Sequence, residues 1–500
     1  MKKWSVFAVA SFLLFTCVVH AATRTLVIGT SGSDVVALQN QLIAQGYMNA
    51  GRDTGYFGTE TLAAVEKFQC DQKIVCSGSS YGVVGPLTQA ALAGSSTSAP
   101  AAPSAASVAS LSVLAPTGPI TPSTSLEFGG WLPYWHAASS TADVAPHLQQ
   151  MTEVSPFEYT VNSEGIVTDG GNINAQPWTS FIAQAKADKV RVIPTIMWGD
   201  GVSEQNILSN TTTRIALENQ IATLVQVEGF DGIDIDFEAK EAQTENYFST
   251  FLKGLYERMG QKWVYCSIEA RMPLQDRYGI GVTPPADATE YANDYTAINQ
   301  YCDRVEIMAY DQGQIDTVLN ASRAAPYVPV ADPAWVANVV NLAAQTISRK
   351  KILIGVPTYG YEYQVTSSGS GYQYNLLWAF NPTYATQLEA LLGVTPSRNS
   401  ADELSFIYKS TPATQALSNQ ASVLGAVTNN GVDNTTAPPT DVYSQTALAS
   451  SIQPPFNIVW WSDAQAISDK VALARQLGVR GVAVFQLNGA EDQNIWNVLK

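Results

Sequence analysis

A closed α/β barrel of eight parallel strands, carrying an inserted α+β subdomain and preceded by a small all-α module, is predicted by three features of this sequence. Short β-branched and aromatic runs near 127–133, 153–160, 190–197, 230–237, 263–270, 303–310, 351–357 and 480–487 mostly alternate with amphipathic helical patterns such as Ile215 to Val227. That alternation builds a parallel sheet covered by helices. The length, 500 residues, exceeds one typical domain and fits a barrel plus something smaller. Finally, the N-terminal part has its own helical periodicity and ends in a run of Ala, Ser, Pro and Thr.

In chain order, Lys2 and Lys3 precede an apolar run from Val6 to Val19, and Val19-His20-Ala21 places small residues at the two positions a signal peptidase reads. Residues 1–21 are therefore expected to be a secretory signal, cleaved after Ala21. Thr16 before Cys17 does not suit lipid attachment. The run is too short for a comfortable membrane span, and no other stretch approaches about 20 apolar residues. The mature chain is expected to be exported, without a membrane span, and monomeric. A net charge of −16 lacks the basic footprint of a nucleic-acid binder.

Residues 22–94 read as a helical bundle, because Val35, Leu38 and Leu42, then Leu62, Val65 and Phe68, recur at helical spacing. A weak internal repeat runs through it: Gly55-Tyr56-Phe57-Gly58 precedes Thr61 as Gly82-Val83-Val84-Gly85 precedes Thr88, each a turn that opens a helix. The arrangement of Gly32, Val35, Leu38 and Gln39, the G-x-F-G-x-x-T turn, and Ala64, Val65, Phe68 and Gln69 resembles the peptidoglycan-binding domain 1 family over nearly the whole segment. The resemblance implies a cell-wall ligand; a bundle without a ligand is the alternative. Residues 95–125 form an Ala/Ser/Pro/Thr linker that cannot bury enough apolar surface to order itself. An exported chain with four mature cysteines suggests two disulfides, Cys70 to Cys76 and Cys266 to Cys302. Metal binding is not expected, since none of the three histidines sits near a cysteine pair.

The barrel occupies 126–500. The region between Tyr359 and Asn457 is too long for a loop and holds strand-like Leu404 to Tyr408 and Ile458 to Trp461, so about 360–457 is expected to be the inserted subdomain, with a disordered stretch near 428–441.

Within the fourth barrel run, Phe230 to Glu238 reads FDGIDIDFE. On a strand, Asp234, Asp236 and Glu238 share one face and Ile233, Ile235 and Phe237 the other. Alternating acids also occur on exposed strands and in calcium loops. Here, however, the apolar face must pack on helices, as in a barrel whose strand ends carry the chemistry. Carboxylates about 6–7 Å apart repel inside a folded protein, so a buried row should hold at least one proton, which general acid catalysis needs. The other C-terminal strand ends supply Trp131, Tyr134 and Trp135; Trp198; Arg271; Tyr310 and Asp311; Tyr359 and Tyr361; and Phe485 with Gln486. An aromatic rim around carboxylates suits a glycan, whose C–H faces pack on rings and whose hydroxyls need polar partners.

Asp231, Asp234, Asp236 and Glu238 match D-x-x-D-x-D-x-E, Met308-Ala309-Tyr310-Asp311 matches M-x-Y-D, and Gly355 to Tyr361 matches G-x-P-x-Y-G-Y. With these motifs residues 127–500 resemble glycoside hydrolase family 18, the chitinase-like (β/α)8 TIM barrels. Val459-Trp460-Trp461-Ser462-Asp463 further resembles the spore-germination and cortex-lytic N-acetylglucosaminidase branch. The resemblance implies Glu238, Asp236, Asp234 and Tyr310 as catalytic residues, Asp231 as structural, and Trp131, Tyr134, Trp135, Trp198, Arg271, Met308, Asp311, Tyr359, Tyr361, Phe485 and Gln486 as substrate-binding. It implies a retaining, substrate-assisted reaction beside N-acetylated hexosamines, without metal or other cofactor. Two residues depart from the family pattern: Phe485 stands where a Trp is usual, and Glu306 faces inward where the family is usually apolar. Peptidoglycan is the first expected substrate and chitin the rival, in a secreted or wall-associated protein. A catalytically silent glycan-binding protein is the third reading, against which the intact acids argue.

Overall fold

The structure, a computed structural model, describes residue 26, residues 33–92 apart from 50–53, 56 and 76–81, and residues 120–500 apart from 121, 124, 279–281, 324, 369–370 and 426–453. The expected signal at 1–21, most of the linker and the stretch near 428–441 lie outside the described residues. The chain divides into two compact units, Met1–Ser107 and Val108–Lys500.

In the first unit, helices Ser33–Ala44, Thr59–Asp71 and Pro86–Leu92 bury Val35, Leu38, Leu42, Val65 and Phe68 in one core. The internal repeat is a repeat of hydrogen bonds. Gln39 donates to Thr61 Oγ1 and accepts from the Gly55 N–H, both at 2.9 Å. Gln69 donates to Thr88 Oγ1 at 2.9 Å and accepts from the Gly82 N–H at 2.7 Å. Each glutamine ties a turn to the helix that the turn opens, and Gly55 and Gly82 stand at φ 73° and 83°, where side chains are disfavoured.

In the second unit, strands β1 (Glu127–Pro133), β2 (Glu153–Val161), β3 (Thr195–Trp198), β4 (Gly232–Phe237), β5 (Trp263–Glu269), β6 (Arg304–Met308) and β7 (Ile352–Pro357) pair in parallel, each with the next. An insertion then contributes β8 (Gly360–Ser368), β9 (Gly371–Phe380), β10 (Leu404–Tyr408) and β11 (Phe456–Trp461). Finally β12 (Gly481–Phe485) pairs with β7 and β1 and closes the barrel. The protein is thus the expected TIM barrel. Helices pack on its outside because each has one apolar stripe. Thr211–Glu228, for example, starts where the Asn210 side chain accepts from the Thr212 and Thr213 N–H groups, ends at Gly229 with φ 64°, and buries Leu217, Ile221 and Val225.

The insertion forms an antiparallel sheet in the order β9, β8, β11, β10, with Ser397–Arg398 at its edge, over a core that includes Phe380, Leu388, Phe406 and Trp461. Its last strand runs to Trp461. Glu403 accepts from the Trp460 indole within the insertion and ties it to the barrel by accepting from Val330 N–H and Ala331 N–H, with Lys470 at 3.5 Å.

A disulfide joins Cys266 on β5 to Cys302, just before β6. Cys70 is also disulfide-bonded, and Cys76, its expected partner, lies outside the described residues. At the barrel's N-terminal end, burial raises the Glu127 carboxyl, but hydrogen bonds from Arg304 and Arg480 outweigh it and hold the group at about 2. Asp231 accepts from the Val192 N–H at 2.9 Å and so pins the start of β4 to its neighbour.

Candidate active site

Strand β4 sets the site by its two-residue period. Ile233, Ile235 and Phe237 face the surrounding helices, and Asp234, Asp236 and Glu238 rise along the barrel axis. Asp234, the deepest, is fully buried and accepts from the Trp131 indole at 3.1 Å, the Thr195 hydroxyl at 2.8 Å and the Ser267 hydroxyl at 2.9 Å. Burial pushes its carboxyl up, and these donors pull it back.

Asp236 has one oxygen without a partner, and Glu238, two residues on, lines the same cleft. Two neighbouring buried carboxyls repel when both are ionised, which favours one of them keeping a proton. Burial, then the charges of Glu238, Asp234 and Glu269, drive Asp236 well above the ordinary carboxylate range. Glu238 is raised too, first by burial and then by Glu269, while Lys240 opposes the shift. The pair therefore shares a proton at the mouth of a cleft of about 240 Å³.

Trp131, Phe157, Tyr310 and Phe485 form the aromatic floor and wall of that cleft. Tyr310 stacks on Phe485 with ring centroids 5.6 Å apart, and Trp131 meets Phe485 edge-on at 5.7 Å. Met308 and Asp311 complete the far side. An acid that keeps its proton, anionic support beneath it and apolar ring faces beside it make a site able to protonate a glycosidic oxygen while holding a sugar.

Residues 131–490 match the sequence model of the glycosyl hydrolases of family 18. The chain belongs to that family. A peptidoglycan binding domain model matches residues 31–92. Among curated proteins, the cortical fragment-lytic enzyme of Bacillus subtilis is 24% identical over 377 residues, spanning 71% of this chain and 70% of its own. Among solved structures, the spore cortex-lytic enzyme SleL of Bacillus megaterium superposes with a TM-score of 0.53 at 20% identity, covering 78% of each chain. A chitinase from Chromobacterium violaceum gives 0.53 at 19% identity, over 75% of this chain and 98% of its own.

Within this family 18 barrel, several residues expected at the cleft lie elsewhere. Trp198 is paired in register with Phe237, meets its ring at 5.3 Å and is buried on the helix side of β3; Met197, in register with Asp236, is the inward residue. The expectation was out by one residue, and on a strand one residue changes the face. Tyr359 and Tyr361 are fully buried and do not line the cleft; both hydroxyls donate to Asp311 Oδ1, at 2.5 and 2.6 Å. Gln486 is likewise buried and does not line the cleft. Arg271 stacks on Tyr291 and Tyr295 and lines an adjoining pocket of about 360 Å³. Tyr134 and Trp135 leave β1 on a short 3-10 turn, where Trp135 is 39% exposed and contacts Phe157.

Other residues at the cleft were not anticipated from the sequence. Glu269, the last residue of β5, lines the cleft and raises the carboxyls of both Asp236 and Glu238. Ser267 and Glu269 share parity on that strand, so alternation could have found them. Lys240 has a side chain only 1% exposed and lies 4.0 Å from Glu269. Among the described residues, no cluster of His, Cys, Asp or Glu is arranged to hold a metal ion, and no helix is long and apolar enough to cross a membrane.

Proposed function

We propose that the protein cleaves β-1,4 bonds beside N-acetylated hexosamines in peptidoglycan, outside the cell membrane, with retention of anomeric configuration. The observation that carries this reading is the Asp236–Glu238 pair at the cleft, set above Asp234 with its three side-chain donors and opposite the aromatic wall. Glu238, at the cleft mouth, protonates the glycosidic oxygen. The substrate's own 2-acetamido oxygen attacks C1, the C1–O bond to the leaving sugar breaks, and an oxazolinium forms. Asp236 orients the acetamido group and stabilises the positive ring, and Asp234 anchors Asp236 from below. The Tyr310 hydroxyl donates to the acetamido oxygen. Water, deprotonated by Glu238 in its second role, then opens the ring from the face the leaving group vacated, so configuration is retained. Because the substrate supplies the nucleophile, one carboxyl acid suffices at the scissile bond, unlike in glycosidases that flank it with an acid and a carboxylate nucleophile or base.

The peptidoglycan binding domain at residues 31–92 favours a wall polymer over chitin, and the cortical fragment-lytic relative supports the same choice. Digestion of purified peptidoglycan and of chitin, with mass analysis of the products and NMR of the new reducing end, tests the reading. Muropeptide fragments released as the β-anomer are expected. Release from chitin alone would replace the substrate, and binding without products from either polymer would leave a silent glycan-binding protein.

A further inference from the structure

Glu306 is buried to 1% on β6, in register with Ser267 of β5. One of its oxygens, Oε2, has no partner. The neighbouring groups that raise its carboxyl, after burial, are Asp234 and Asp236 of β4 and Glu153 of β2, the last of them paired with Arg191. A carboxylate in that enclosure would combine an orphaned oxygen with the like charge of Asp234, and a buried unpaired charge is far costlier than a neutral acid's unpaired carbonyl. Counting hydrogens sharpens the point. Ser267 has one hydroxyl hydrogen, and its oxygen lies 2.9 to 3.1 Å from the oxygens of Asp234. That hydrogen is committed to Asp234, so a bond between Glu306 and its register neighbour Ser267 needs a hydrogen from Glu306.

We propose that Glu306 is a positioning residue of the reaction: held as the undissociated acid, it donates to the Ser267 hydroxyl and thereby commits the Ser267 hydrogen to Asp234. With hydrogens from Trp131, Thr195 and Ser267, Asp234 stays anionic and the mobile proton stays above it, on Asp236 and Glu238. An ionised Glu306 would compete for the Ser267 hydrogen and place a further negative charge under the row. The inference rests on the mechanism proposed above and adds a fourth carboxyl to it, one that touches no substrate.

Three measurements on the full chain test it. Infrared difference spectra at neutral pH should lose one undissociated-acid carbonyl band in Glu306→Gln; an unchanged band count overturns the proposal whether or not any glycan is cut. In kinetics on solubilised peptidoglycan strands, Glu306→Gln, which keeps a neutral donor, should hold kcat within about threefold, while Glu306→Leu should lose roughly tenfold in kcat at little change in KM. Leu as active as wild type would make Glu306 a space-filler, and Gln as damaging as Leu would mean that a neutral donor is not what the site uses. Finally, Glu306→Leu should cost nothing further in a Ser267→Ala background; an additive loss would break the proposed connection. Circular dichroism checks that each variant is folded. A wild type inactive on every glycan would sink the proposed function, with the infrared result still deciding Glu306.

Discussion

The Trp131 indole donates to Asp234 Oδ2 at 3.1 Å, joining β1 to β4 beneath the cleft across a sequence separation of 103. Trp131 thus has two duties, since its ring also walls the cleft. Trp131→Phe keeps most of the wall and removes the N–H. Asp234 then loses one of its buried donors, and kcat should fall about tenfold, consistent with the roughly 1–3 kcal/mol lost when a buried hydrogen-bond partner goes. Steady-state kinetics on a soluble glycan would measure it; a rise in KM with kcat unchanged would mean that the ring, not the N–H, is what the reaction uses.

Much of this arrangement was legible because strand parity is a local code. The alternation through Ile233, Asp234, Ile235, Asp236 and Phe237 is enough by itself to put the acids on one face and the apolar residues on the other. The same code failed at Trp198, since the strand end was not placed to within one residue and Met197 took the inward position. Tyr359 and Tyr361 were misplaced for a different reason. Their aromatic character suited a sugar, but their hydroxyls bind Asp311, a long-range partner that no spacing reveals. In the first unit the repeated glycines and threonines were visible, whereas the glutamine that links each pair makes its bonds only after folding.

Stability should depend on pH in a sense set by buried acids. Burial raises the carboxyls of Glu158, Glu204 and Glu491 to about 8 and that of Glu153 to about 7, with the neighbours Asp169 and Asp143 adding to the first and third. Unfolded, each would titrate at 4.5. The folded chain therefore keeps protons that the unfolded chain releases, so this contribution is full below the unfolded value and is lost as pH rises through 7 to 8. Glu127, lowered to about 2, acts oppositely, and its contribution is lost as pH falls from 4.5 toward 2. Calorimetry across pH should find the highest Tm between about 4.5 and 6, and a Tm several degrees lower near pH 9. A Tm that climbs from pH 6 to 9 would contradict the assignment.

Deleting residues 22–125 should slow turnover of insoluble wall while leaving soluble glycan fragments nearly untouched. The catalytic acids and the described side-chain donors to Asp234, Trp131, Thr195 and Ser267, all lie beyond residue 125, so the chemistry has no need of the deleted residues. What a wall-bound module supplies is effective concentration at the surface, worth roughly 10²-fold or more in avidity for linked modules. Release of soluble product from sacculi and hydrolysis of a short oligosaccharide would be compared in parallel. An equal loss on both would mean that the deleted residues support the barrel.

Glu238 and Asp236 should be separable by the leaving group. Glu238→Gln keeps shape and hydrogen-bonding capacity but removes the transferable proton, so it should fold, bind glycan and lose several orders of magnitude in kcat on natural strands; positioned proton transfer supplies roughly 10²- to 10⁴-fold, and a sugar alkoxide is a poor leaving group. Asp236→Asn should also be crippled, because the acetamido group loses its orienting anion. An activated aryl glycoside leaves without protonation yet still requires the oxazolinium. It should therefore restore much of the rate to Glu238→Gln and little to Asp236→Asn. The acid's raised carboxyl adds a second signature: the alkaline limb of the wild-type kcat profile should lie above the ordinary glutamate range, as burial and Glu269 demand, and should vanish in Glu238→Gln on the aryl substrate. Equal rescue of both variants would contradict the division of roles, and near-wild-type cleavage of natural glycan by Glu238→Gln would remove Glu238 as the acid altogether.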